Sequence, residues 1–381
     1  MPFRDVAPGP PSEPRALAPG LFLDRIEAEG FEAGVTRLAD LTGLDRIGFP
    51  VWQAVRPFGR AQSVHQGKHA SNLLARIGAL GEALESHRAE NAVVNIRATR
   101  WRDLPASARC PDPHDCNADR GIGEAHGALD WCTAREFRTD DEFFLPHLFV
   151  SLDFTLTDGH WLERSSAGLA LGTCESEAIA TGLREVLERD AVGAWERSSP
   201  AAKAHGRIDV ASIPYGWFHH WKERAASADA TLRVFATETI DGMPVCIVCL
   251  SGPAAYGEGQ RDFMGSCAHG DPERALFGAM AEAIQSRLTV IAGSRDDVMP
   301  RLYRSTPGGG LLGAVELGVP LSSFENIEPR CSEPRRVADR LASLGYDRIV
   351  VARLAPEGAI PVVKVFVPGL GSLHRERRAP T

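Results

Sequence analysis

The spacing of hydrophobic positions changes several times along the chain, and each change marks an element. In SNLLARIGALGEALESHRAEN (71–91), Leu73, Ile77, Leu80 and Leu84 recur every three or four residues, which predicts a helix with one buried face. Ser71 is placed as its N-cap. The same period in DPERALFGAMAEAIQSRLTVIAG (271–293) predicts a second long helix, capped by Asp271, with Arg274, Glu282, Gln285 and Arg287 at polar positions. A third is predicted over 333–345, and residues 21–45 suggest a helix followed by a turn. Apolar, β-branched runs predict strands at 49–57, 63–70, 92–99, 144–156, 347–354 and 361–369. TLRVFATETI and MPVCIVCLS predict a hairpin turning at Asp241-Gly242.

Between these elements the pattern lapses. Residues 1–20 are Pro-rich and predict an irregular arm; 200–230 are polar with scattered Ala and Trp; 305–314 are Gly-rich and predict a loop or hinge. No repeat of fixed length is present. Strands accompany long amphipathic helices without regular βαβ alternation. The expected fold class is therefore α/β in the broad sense, a mixed α+β enzyme around one large core.

Composition adds exclusions. At 381 residues, 44% hydrophobic and 24% charged, the chain can bury a sizeable core. A net charge of −8 argues against nucleic acid and suits acidic clusters that hold divalent cations. The N-terminus shows no apolar signal segment and no run approaches the ~18 apolar residues of a membrane span, so the expected setting is the cytoplasm, with no membrane partner. Of the eight cysteines, Cys110 and Cys116 with His114, His126 and Cys132 nearby fit no usual zinc spacing, and a loop insertion is the better reading. Cys246 and Cys249 form a CxxC inside an apolar run and are expected in the core.

One stretch carries more chemistry than the others. Residues 165–190, SSAGLALGTCESEAIATGLREVLERD, open as a small-residue loop and close as a helix. At 100° per residue, Ile179, Leu183, Val186 and Leu187 fall on one side, and Glu177, Glu185 and Glu188 lie within about 80° of one another on the other. Spacing alone permits a solvated face or a metal-binding face. Glu82 and Glu85, three apart on the 71–91 helix, are open to the same two readings.

The motif SSAGLALGT, three residues, EA, six residues, EVLERD resembles the signature of the YcaO family. GKH (67–69) and GEALE (81–85) resemble that family's GKG and G-E-x-x-E. TRLADLTGLDRIGFPVWQAVRP and EAIQSRLTVIAGSRDD resemble the branch encoded beside TfuA-type proteins. The resemblance covers about residues 35–370. It implies an N-terminal arm and first helix over 1–34, a catalytic domain over 35–370 with a loop insertion at about 105–140, and a tail over 371–381.

The resemblance further implies a YcaO-type fold around an ATP site with Mg²⁺, held by Glu82, Glu85, Glu177, Glu185 and Glu188. Glu188 and Arg189 are the implied catalytic residues. Lys68, Ala170, Thr173, Arg189 and Arg287 are the implied nucleotide contacts, with Gln285, Arg295 and Asp296 bordering them. His269 is a possible proton carrier or a capping-loop histidine. The chain departs from the family pattern at His69, Ala167 and Thr173, where the family carries Gly, Asn and Asn.

The implied activity is modification of backbone amides in a ribosomally made precursor peptide. A nucleophile adds to the carbonyl, ATP phosphorylates the resulting oxygen, and phosphate leaves. A side chain as nucleophile gives an azoline, a backbone amine an amidine, and external sulfide a thioamide. The late Pro380 stands alone where azoline-forming members carry a Pro-x-Pro-x-Pro tail; with the branch motifs this favours thioamidation with a TfuA-type partner. The roughly 35 residues before the matching region are too few for a leader-binding domain, so a separate leader-peptide-binding partner is expected. A homodimer is expected by analogy. A non-catalytic, peptide-binding scaffold is the reading from another class.

Overall fold

Every strand pairing registered in the three sheets is antiparallel, and helices cover the sheets. The structure is a computed structural model describing residues 8–11, 13, 15–109, 127–156, 164–253, 261–295, 321–372 and 376–377. Asp296, the Gly-rich 305–314, Cys110, His114, Cys116, His126 and Pro380 lie outside the described residues.

The chain runs α1 (Pro19–Glu32), β1 (Arg37–Asp40), β2 (Val51–Val55), β3 (Val64–Lys68), α2 (Asn72–Glu90), β4 (Ile96–Arg100), β5 (Ala128–Glu136), β6 (Glu142–Pro146), α3 (His147–Val150), β7 (Leu169–Leu171) and α4 (Glu175–Arg197). It continues through α5 (Pro200–His205), β8 (Arg207–Ile208), α6 (Gly216–Ser227), β9 (Thr231–Glu238), β10 (Pro244–Gly252), β11 (Arg261–Ala268), α7 (Pro272–Ala292), α8 (Pro334–Ser343), β12 (Val350–Arg353) and β13 (Val362–Phe366). The first sheet has the order β1-β2-β3 and the second β11-β10-β9-β8. The third runs β4-β5-β12-β13-β7, with β6 paired to β5.

Strand β10 is buried at every position because helices cover both its faces. Cys246, Val248 and Leu250 pack with the apolar residues of α7, while Val245, Ile247 and Cys249 pack with those of α4. A strand alternates its side chains between faces, so Cys246 and Cys249 point to opposite layers. Burial pushes each thiol up to about 12, and neither forms a disulfide. The CxxC pair is core, as its apolar run implies.

Helix α2 lies unusually close to β3. A Cβ at Gly67 would come within 2.0 Å of the Ala75 carbonyl oxygen and 2.1 Å of the Ala79 nitrogen. The buried face of α2 is consequently built on Ala75, Ala79 and Ala83 with Leu80 and Leu84; Leu73 and Ile77 are only half-buried. Ser71 occupies the N-cap position without a side-chain capping bond, its N–H donating instead to His69 Nδ1 at 2.9 Å. Asp271 caps α7 as expected, accepting from Glu273 N at 2.9 Å.

Several expectations are corrected. The predicted strand 144–156 is β6 followed by the single turn α3, where Phe149 meets Phe366 with ring centroids 4.7 Å apart. The expected insertion at 105–140 holds β5, hidden in sequence by polar residues on its half-exposed face. The polar 200–230 segment contains α5 and α6, the latter burying Trp217, Phe218 and Trp221. Strands β1, β7, β8 and β11 have no counterpart among the expected strands; β7 lies within the stretch expected as a small-residue loop.

Candidate active site

Three helices bring carboxylates to one region. Helix α2 contributes Glu82 and Glu85, one turn apart; α4 contributes Glu185 and Glu188; α7 contributes Glu282. Electrostatic repulsion links them in a line: Glu188 with Glu282, Glu282 with Glu82, Glu82 with Glu85, and Glu85 with Glu185.

Glu82, Glu85 and Glu188 are each anchored by a donor from a neighbouring strand. Glu82 accepts from Gln66 N at 3.1 Å on β3, and Glu85 from Leu171 N at 2.7 Å on β7. Glu188 accepts from Ser266 Oγ at 2.6 Å and Ala268 N at 2.9 Å on β11. Glu185 accepts from Arg189 Nη2 at 3.4 Å, one turn on along its own helix. These bonds aim the carboxylates but do not offset their crowding.

Burial is the largest cause that raises the pKa of Glu82, Glu185 and Glu188, and it raises Glu85 well above the carboxylate range with Glu82 and Glu185 adding repulsion. Glu82 nevertheless keeps accessible surface. Burial opposes the charge of Arg189, but Glu185, Glu188 and Glu282 outweigh it and raise its pKa. Lys68 pairs with Glu282 at 3.7 Å, and the charges of Arg295 and Lys364 act on Glu82 and Glu185.

Such a set fits magnesium and a polyphosphate. Mg²⁺ prefers hard oxygen ligands and is commonly held by one or two carboxylates, waters and substrate phosphates. Among the described residues no group of three or more His, Cys, Asp or Glu converges as a ready metal cage. Clustered acids whose charge the protein disfavours are relieved when cations sit between them.

The other expected site residues are placed differently. Glu177 lies eight residues before Glu185, about 12 Å along the helix axis. Its carboxylate accepts from Thr173 Oγ1 at 2.6 Å, Thr173 N at 3.0 Å and Ala16 N at 2.7 Å, and pairs with Arg15 at 3.5 Å. Burial acts to raise its pKa, but these partners outweigh it and lower it. Ala170 is buried in β7 opposite Val363. Arg287 is not at the site: it is buried, donates to Asp45 at 3.1 Å and holds the core together. Gln285 is also buried, donating to Gln66 O at 3.2 Å. His269 accepts from Asp271 N through Nδ1 at 2.9 Å, which leaves Nε2 to donate to Glu13 at 2.8 Å. It is a capping-loop histidine.

Glu282 is the residue that the sequence reading underused. It stands at the head of the EAIQSR stretch, but as a single acid on a largely buried helix it carried no spacing signal of its own. Ser266 and Lys364 were likewise unmarked.

A family model described as "YcaO cyclodehydratase, ATP-ad Mg2+-binding" matches residues 66–371. An uncharacterized protein in the tfuA 3' region of Rhizobium leguminosarum bv. trifolii is 35% identical, covering 93% of this chain and 88% of the relative. Among solved structures, YcaO from Methanopyrus kandleri bound with AMPPCP and Mg²⁺ superposes with a TM-score of 0.67 at 20% identity, over 96% of both chains. A heterocyclase in complex with substrate and cofactor gives 0.74 at 18% identity, over 97% of this chain and 55% of that longer one. Helices α2, α4 and α7 with their carboxylates all fall within the matched residues, and the chain belongs to the YcaO family.

Proposed function

We propose that this protein modifies backbone amides of a ribosomally synthesised peptide at the expense of ATP, and that the modification is thioamide formation. The observation that carries the reading is the line of repelling carboxylates Glu188, Glu282, Glu82, Glu85 and Glu185, flanked by Lys68 and Arg189. Those five glutamates would hold Mg²⁺, with Glu177 joining them on exchanging its bonds to Arg15 and Ala16. Lys68 and Arg189 would meet the phosphates, with Thr173 and the β7 backbone at Ala170 as further contacts.

Bound Mg-ATP supplies the phosphoryl group that turns a poor leaving group, the oxygen of the attacked amide, into a good one. The protein's own part is positioning and charge. Glu188 is held by Ser266 and Ala268, so its carboxylate does not need to reorganise. Arg189 carries a permanent guanidinium that three carboxylates keep charged, suited to oxygens that gain negative charge.

Thioamidation is favoured by the relative in the tfuA 3' region, and a TfuA-type partner for sulfur delivery follows from the same neighbour. Azoline formation is the second reading, supported by the fold shared with a heterocyclase and with the E. coli microcin synthetase McbBCD complex, whose TM-score is 0.64 at 18% identity. Mass spectrometry of a precursor peptide treated with protein, ATP, Mg²⁺, sulfide and the TfuA-type partner separates them. Exchange of oxygen for sulfur supports the proposal, and loss of water supports the second reading. A peptide left unchanged, with no Mg²⁺-dependent binding of AMPPCP, would leave the non-catalytic scaffold.

A further inference from the structure

Strand β13 is apolar except at one position. Val362, Val363, Val365 and Phe366 are buried, and Lys364 among them is 2% exposed. A lysine in such surroundings costs free energy unless its charge and donors are matched. The ammonium of Lys364 donates to the carbonyl of Ser165, lies 5.9 Å from the centre of the Phe149 ring, and attracts Glu185.

The loop that Lys364 grips leads straight to that glutamate. Val365 N donates to Gly168 O at 2.8 Å, and Gly168 packs on α4 against Gly182 and Val186, the neighbour of Glu185. Gly168 has φ +77°, and a Cβ there would lie 2.1 Å from Val365 O and 2.8 Å from Val186 Cγ2. Residues 165–168 are thus clamped between β13 and α4, with Lys364 holding Ser165 at one end and Val186 packed on Gly168 at the other. Arg189 meets Glu185 from its own helix at 3.4 Å. Arg189 and Lys364 line one recess, together with Phe149, Ser165 and Phe366.

We propose that Lys364 is a positioning residue of the acidic site: it fixes the 165–168 loop and supplies, with Arg189, the paired positive charge that orients Glu185 toward Mg²⁺ and nucleotide. The proposal rests on the metal–nucleotide reading above.

The test is calorimetric titration with AMPPCP, with and without Mg²⁺, on the full chain and on Lys364→Met, Lys364→Gln and Lys364→Arg, beside thermal unfolding of each. Lys364→Met is expected to stay folded at the titration temperature and to bind Mg-AMPPCP about 10- to 100-fold more weakly. Lys364→Arg is expected to recover most of that loss. Lys364→Gln retains a donor for Ser165 without the charge, and replaces Lys364→Met if the latter does not fold. A folded Met or Gln variant with wild-type affinity overturns the proposal, as does an Arg variant no better than Met. A wild-type chain that fails to bind Mg-AMPPCP removes the nucleotide reading itself, and this proposal with it.

Discussion

Glu188 on α4 and Glu282 on α7 confront each other across the site, and after burial the charge of Glu282 is the largest influence holding the proton on Glu188. Two acids in this relation tolerate full ionisation only with positive charge between or beside them. Lys68 answers part of it from β3 at 3.7 Å.

Glu282→Gln is therefore expected to weaken Mg²⁺-dependent binding of AMPPCP as strongly as Glu188→Gln, by about 10-fold or more. Titration calorimetry on both variants checks this. Undiminished affinity in Glu282→Gln would remove α7 from the site and leave only α2 and α4.

Glu85 gives a pH signature with a definite sign. Its folded-state pKa is raised well above the ordinary carboxylate value, so the folded chain holds this proton more tightly than the unfolded chain does. Its contribution to stability is largest at low pH and is lost as pH rises from the ordinary carboxylate range through the raised value. The Tm of the metal-free wild type should fall relative to Glu85→Gln as pH rises above the ordinary carboxylate range. Parallel curves for the two proteins would contradict the burial and repulsion assigned to Glu85.

Arg287→Met separates structure from site. Removing one partner of the buried Arg287–Asp45 pair leaves an uncompensated carboxylate, at a cost of about 3 kcal/mol. Chemical denaturation should show that loss while the folded protein binds Mg-AMPPCP with near wild-type affinity.

Gly168→Ala tests the close approach of the 165–168 loop to β13. The positive φ and the 2.1 Å approach to Val365 O leave no room for a methyl group, and a loss of about 2 kcal/mol or more is expected in denaturant unfolding. Nucleotide affinity should fall as well, because the added methyl would press on Val186, the neighbour of Glu185 on α4.

How much of this was legible in sequence depended on whether a feature was local. The α2 and α4 glutamates are paired within a turn of their own helices, so spacing and motif were enough to raise them. The β10 run and the Asp271 cap were legible for the same reason. Glu282 and Lys364 owe their meaning to partners far away in the chain, and neither has a local companion. Arg287 and Gln285 looked like polar-face residues because the wheel cannot show that α7 is buried on nearly all sides. Strand β5 was masked because only one of its faces is covered, and α3 because a single turn leaves no period to detect.

The acids of the site are contributed at positions 82, 85, 185, 188 and 282, so the earliest and latest are some two hundred residues apart. Ligand contacts that span such distances form only after the intervening chain has folded, since long loops must close first. A nascent chain that has not yet emerged past α7 lacks part of the carboxylate set. On the proposed assignment, nucleotide capture would wait until α7 has been made. Mg-ATP would then act as a late fastener that favours molecules with all three helices in place over half-folded ones.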